Sequence, residues 1–235
     1  MKILKKLVCL CLILIAPTLS YAYQIRGRAD VSFLGMSISH LIDNKTANKS
    51  NVYGSRVDAT IVPFEGYGIA FKPMALYATG DGDLLQGGIQ IAHYTPINDC
   101  ITLVPGIGYT YSDLRSKIKI QLPNVGPFTF NQKVDSNIIF CACDVYYKID
   151  EQWMLTGVFQ YGWARSHSKI HSMDVFGTNI VEEGSSDGPS FAGIVDYYIT
   201  KSWSISTAVG YSKTLSKERH GLKALGYKVG LGYLF

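Results

Sequence analysis

Apolar and aromatic residues alternate with small or polar ones along most of this chain, the period of two that a β-strand imposes on its two faces. The clearest run ends the chain. Leu225, Tyr227, Val229, Leu231, Tyr233 and Phe235 fall on one face of residues 222–235, and Ala224, Gly226, Lys228, Gly230, Gly232 and Leu234 on the other. Comparable alternation predicts strands over 25–41, 52–63, 67–79, 86–95, 101–112, 136–149, 153–166, 190–199, 203–215 and 222–235. Short connections (64–66, 96–100, 150–152, 200–202) alternate with longer, more polar ones, of which 44–51 and 216–221 are basic; 80–84 is the tight exception. About ten strands joined in this way predict an all-β, antiparallel up-and-down β-barrel that spans a membrane, with eight and twelve strands as alternative counts.

An internal repeat supports the membrane reading. Residues 97–101, 149–153 and 199–203 start three hairpin units with the same spacing: Ile101, Trp153 and Trp203 open the strand, and Tyr109, Tyr161 and Tyr211 follow eight residues later. Eight residues of a strand tilted near 40° cover roughly 20 Å along the membrane normal. That is the height of an apolar band between two aromatic girdles. The opposite faces of these strands are mostly small, and by the same parity Arg26, Arg28, Asp30, Arg56, Asp58, Lys72, Asp144, Lys148, Asp196 and Lys228 point inward. Charges of mixed sign inside a barrel persist only if paired or solvated. Arg56, Asp58, Asp144, Asp196 and Lys228 are therefore the candidate lumenal network, and the expected interior is mostly occluded. Arg26 and Lys148 fit a strand-end position equally well.

At the other end Lys2, Lys5 and Lys6 precede the apolar run 7–16, and Ser20-Tyr21-Ala22 supplies small residues for cleavage after Ala22. Residues 1–22 are read as a cleaved signal peptide, residues 23–235 as the barrel, and the stretch around 113–135 as an outer hairpin extending two strands above the membrane. Removing three of the 22 basic residues leaves 19 against 18 acidic ones, about +1, so the charge offers no case for nucleic-acid binding. No mature segment has the roughly 18 uninterrupted apolar residues of a membrane helix. Cys100, Cys141 and Cys143 are odd in number, and residues two apart on a strand rarely meet disulfide geometry, so the last two read as small apolar side chains.

Lys228, Gly230, Tyr233 and Phe235 match the polar, glycine, aromatic, terminal-aromatic pattern that closes bacterial outer-membrane β-barrels. Across its mature length the chain resembles the OmpA, OmpW and opacity-type surface barrels. The resemblance implies export, recognition by the barrel-assembly machinery, residence as a monomer in the outer membrane among lipid and lipopolysaccharide, and a structural or surface-interaction role such as loop presentation or host contact. A narrow pore for small solutes is the alternative. Asp81, Asp83, His171 and Asp174 also resemble the omptin proteases, ten-stranded barrels whose paired aspartates and Asp-His pair face each other across the outer mouth and activate a water. In that family the second pair is Asp-x-His; here the order is reversed, the spacing is three and the mature chain is shorter. Asp-Gly-Asp is also a common tight-turn sequence. The expected protein is thus no enzyme, omptin-like proteolysis being the second alternative, and the sequence calls for no cofactor or metal.

Overall fold

A strand that buries one face still carries unpaired N–H and C=O groups along each edge, and in lipid only closure of the sheet satisfies them. The computed structural model describes residues 26–62, 68–122, 126–172 and 179–235. The proposed signal peptide and Asp174 lie outside them. Ten antiparallel strands follow in chain order: β1 (Arg26–Ile42), β2 (Lys45–Val62), β3 (Gly68–Gly80), β4 (Gly82–Pro96), β5 (Ile101–Leu122), β6 (Gly126–Lys148), β7 (Trp153–Ser172), β8 (Asn179–Tyr198), β9 (Trp203–Leu215) and β10 (Gly221–Leu234). Each pairs with its neighbours in sequence, and β10 pairs with β1 to close the ring. No helix among the described residues is long and apolar enough to cross a membrane.

One circuit of the ladder register that leaves β1 at Arg28 returns to it at His40, a shear of about twelve residues. Ten strands with that shear tilt by about 40° and enclose a backbone radius of about 10 Å. Closure is sealed by two glycines. Gly27 and Phe235 exchange backbone hydrogen bonds of 2.9 and 3.0 Å, and a Cβ on Gly27 would sit 2.5 Å from the Phe235 ring. Gly35 likewise lies under the Tyr227 ring. Two aromatics of the last strand therefore cover two bare backbone positions of the first.

The molecule has a turn end, with short connections and the β1–β10 closing rung, and a hairpin end, where β5 to β8 run far beyond their neighbours. β5 and β6 stay in register from Ile101↔Tyr147 to Leu122↔Gly126, and β7 and β8 from Trp153↔Tyr197 to His171↔Asn179. β3, by contrast, stops at Gly80 and β9 at Leu215. The result is a four-stranded wall standing over one side of the mouth.

Several strands are longer than their alternation suggests, always at the hairpin end. The polar stretch 44–51, expected to be a loop, is mostly the start of β2; the connection itself is Asp43-Asn44, both with left-handed φ (50° and 63°), as a two-residue hairpin turn of primed type requires. Above a membrane both faces of a strand meet water. The apolar half of the pattern then vanishes while the ladder continues.

Candidate functional site: a filled lumen and an ionic belt at the hairpin end

Outside the ring, Val31, Phe33, Ile91, Ile107, Ile139, Phe159, Val209, Leu231 and other large apolar residues are exposed. Aromatics bracket them. At the turn end Trp153 packs at a tilt against Tyr197 (4.8 Å between centroids) and Trp203 against Tyr233 (4.9 Å). Toward the hairpin end Tyr109, Tyr161, Trp163 and Tyr211 occupy outward strand positions, Tyr161 edge-on to Trp163 at 5.3 Å. Tyr109 donates to Asn137 at 2.5 Å and Tyr161 to Asp187. Rings that are apolar on one side and hydrogen-bonded on the other belong at a membrane interface.

Inside, the described side chains in the half of the lumen nearer the turn end include four cations and four carboxylates, Arg28, Arg56, Lys72 and Lys228 against Asp30, Asp58, Asp144 and Asp196. They form three groups. Arg56 clasps Asp58 through Nε and Nη2 at 2.6–2.9 Å, and Lys228 Nζ reaches the same carboxylate at 3.3 Å. Arg28 joins Asp30 (2.7 Å) to Asp196 on the far wall (2.6 Å). Lys72 crosses the lumen to Asp144 and donates to the Tyr146 hydroxyl at 3.3 Å, and the Tyr146 ring stacks on Tyr94. Asp144 and Asp196 are only 2% exposed.

The expected set of five residues is thus divided: Arg56, Asp58 and Lys228 meet directly, whereas Asp144 and Asp196 each bind a cation outside that set. No direct bond links the three groups, so the single paired network is corrected to three pairings, because Arg28 and Lys72 lie nearer to Asp196 and Asp144 than Arg56 or Lys228 does. Lys148 is exposed at its strand end. Gly232 makes room for one group: a Cβ there would sit 2.7 Å from Asp30 Oδ1 and 2.8 Å from Arg28 Nη2.

Toward the hairpin end an apolar cluster occupies the β1–β6 side of the lumen, while Ser136 with Ser166 and Gln132 with Ser168 keep the β6–β7 side polar. Leu34, Ile38, Val52, Leu76, Ala78, Leu84, Leu114 and Val134 form one buried cluster, with Met36, Leu222 and Ala224 against it. β2 and β5 come within 8 Å, Cα to Cα, although two strands separate them in the ring, and His40 meets Ser116 across the mouth at 3.5 Å. Sequence reasoning missed this layer because β3 is apolar on both faces there, and on β1 the apolar residues Leu34, Met36 and Ile38 take the inward positions with Gly35 and Ser37 outward, the reverse of the membrane-facing pattern. Its signal was parity: Leu34, Met36 and Ile38 share a face with Arg28 and Asp30.

Asp81 and Asp83 line a polar cleft of about 650 Å³ above the short β3–β4 turn, with Lys49, Ser50, Arg115 and Asn131 on its flanks. Both carboxylates serve the turn. Asp81 accepts from the Asn51 N–H and Asp83 from the Thr79 hydroxyl, each at 2.8 Å. The register runs Gly82, Ser116, Gln132, Ile170 across β4 to β7, so His171 lies three strands away, about 14 Å around the wall. The structure does not bring these residues together. Among the described residues no group of three or more His, Cys, Asp or Glu side chains could hold a metal.

A second feature escaped the sequence because its residues come from separate strands. Arg115, Lys133 and Lys169 are mutual register partners across β5, β6 and β7, forming a basic row on the outer face beyond the aromatic girdle. The row beside it is Asp113, Asp135, His167 and Glu183. Lys133 bridges Asp135 at 2.8 Å and Asp113 at 3.5 Å, and Arg115 meets Asp113 at 3.3 Å. Slight burial pushes the Asp135 carboxyl up, but the Lys133 ammonium and the Tyr111 hydroxyl outweigh it and hold the group below the usual carboxylate range. Arg165 and Lys169, both exposed, add positive charge on β7.

A closed ring, an apolar belt between aromatic girdles and charges kept off that belt define a β-barrel of the outer-membrane type. The chain is similar in structure to the outer membrane protease OmpT from Escherichia coli, with a TM-score of 0.56 and 12% identity over 90% of this chain and 96% of that one. It also matches Ail, the attachment invasion locus protein of Yersinia pestis (TM-score 0.42, 11% identity, 89% and 98% covered). A third match is the translocator domain of autotransporter NalP from Neisseria meningitidis (0.47, 11%, 90% and 88%). At these identities the likeness concerns the barrel fold. No family model matches the chain, and no curated protein does.

Proposed function

We propose that the protein resides in the bacterial outer membrane after signal-peptide-dependent export and works as a monomer through its hairpin end, as a surface-interaction barrel rather than a channel. The filled lumen carries this reading: paired charges and an apolar cluster share the interior, and both narrow any water-filled passage. The turn end then faces the periplasm and the standing wall of β5 to β8 the exterior. The row Arg115, Lys133, Lys169 meets the phosphates of lipopolysaccharide, steering the wall and steadying it among the headgroups. Lys228, Gly230, Tyr233 and Phe235 serve as the assembly signal. The two mouth aspartates, each already engaged in the turn, favour the non-enzymatic reading over proteolysis.

Replacing residues 117–131 by a two-residue turn between the register partners Ser116 and Gln132 tests where function lies, together with Arg115→Gln, Lys133→Gln and Lys169→Gln in the full chain. The triple variant is expected to fold normally and to bind lipopolysaccharide micelles about tenfold more weakly at low salt, the difference shrinking as salt is raised. The trimmed barrel should fold and lose contact with surface ligands. Unchanged lipopolysaccharide binding, or swelling of sugar-loaded liposomes by the wild type, would overturn the proposal.

A further inference from the structure

The outward face is not uniformly lined. On β7, β8 and β9 the successive outward rows are Trp153, Tyr197 and Ile205, then Leu155, Val195 and Thr207, then Gly157, Gly193 and Val209, and finally Phe159, Phe191 and Tyr211. Gly157 and Gly193 are register partners, and a Cβ on either would meet no atom within 4 Å. The surface is therefore indented between two ring pairs, Trp153 on Tyr197 and Phe159 on Phe191 (5.2 Å). At the turn-end side the indentation deepens into a groove of about 330 Å³ lined by Trp153, Val195, Tyr197, Ile205 and Thr207. Such a volume is at the small end of ligand sites.

The groove continues the apolar belt, so its surroundings are hydrocarbon. Six residues separate Trp153 from Phe159, roughly 20 Å of strand, which matches an acyl chain reaching from headgroup depth into the bilayer. Directly below, the β8–β9 turn presents Lys201, exposed and with no acidic residue in its own turn. Lys148 is also exposed, at the end of β6 beside β7. The acids at this edge are Asp150, whose Oδ1 already accepts from the Gln152 and Trp153 N–H groups, and Glu151, both in the β6–β7 turn. We infer that this groove is a specific site for one glycerophospholipid of the turn-end leaflet, with an acyl chain over Val195, Thr207 and the paired glycines and its phosphate on Lys201. The Trp153 and Tyr197 rings hold the glycerol region at the interface.

Native mass spectrometry of the full mature chain in detergent, with palmitoyl-oleoyl phosphatidylglycerol, palmitoyl-oleoyl phosphatidylethanolamine or lipid A added, reads the site directly. The wild type should keep one glycerophospholipid after the detergent is stripped, phosphatidylglycerol in preference, and no lipid A. Gly157→Leu with Gly193→Leu fills open space and should cut that retention by about tenfold or more, the contact of a few methylenes being lost, without changing heat-modifiable folding. Lys201→Gln should bring phosphatidylglycerol down to the phosphatidylethanolamine level. If the double-leucine barrel fails to assemble, a protein with Trp163→Phe and Trp203→Phe keeps the test alive. Its single Trp153 should be quenched by chain-brominated phosphatidylglycerol, at a lipid fraction too low to quench the matching single-Trp163 protein. Equal retention by wild type and double variant, preferred retention of lipid A, or equal quenching of the two tryptophans would overturn the assignment.

Discussion

Asp144 is a carboxylate inside the barrel, almost without solvent, whose charge is tolerable because Lys72 reaches it from β3, three strands round the ring. Breaking a buried pair by removing one partner is costly, since the other charge is left behind, whereas removing both is much less so. Asp144→Asn is therefore expected to destabilise the barrel by about 3–5 kcal/mol, and adding Lys72→Met should recover most of the loss. Urea unfolding in lipid vesicles measures both, and simple additivity of the two changes would contradict the pairing. Parity alone made these inward charges legible in the sequence. Their partners were not, because Lys72 with Asp144 and Arg28 with Asp196 meet across the lumen from strands distant in the chain. Gly232 was legible as a small residue, but not as the space that an ion pair occupies.

At the level of the strand, facing is the claim that matters. Phe159 is outward and half exposed, tilted against Phe191 in the apolar belt one outward position from Tyr161, and its neighbour Gln160 points inward. Arginine at position 159 would face lipid between the bilayer midplane and the hairpin-end girdle, where the cost falls below the roughly 2–4 kcal/mol of the midplane, while arginine at 160 would face the lumen. Phe159→Arg should thus lower the unfolding midpoint clearly more than Gln160→Arg; equal shifts would mean the faces are exchanged. All ten strands were visible from alternation, and the ends at the turn side were close, since there the strand leaves the membrane within one or two residues. The hairpin side was not legible to the same extent. β8 starts at Asn179 rather than at 190, and β2 at Lys45 rather than 52, because a ladder standing in water no longer needs an apolar face.

For the molecule as a whole, a radius near 10 Å leaves a choice between an open lumen and a filled one, and side-chain size decides it. The sequence indicated the charged layer but not the apolar one, whose members Leu34, Leu76, Leu84 and Leu114 come from four strands and meet only once the ring has closed. Three groups of paired charges and an apolar cluster of β1 to β6 thus share the interior. The proposed surface role rests on that arrangement and would use the wall of β5 to β8 with its row of Arg115, Lys133 and Lys169. Conductance of the reconstituted wild-type chain in a planar bilayer tests this most directly. The filled lumen predicts no steps above baseline, with conductance appearing only when the apolar layer is hollowed by Leu34→Ala, Leu76→Ala and Leu114→Ala together. Stable, salt-dependent steps from the wild type itself would contradict it.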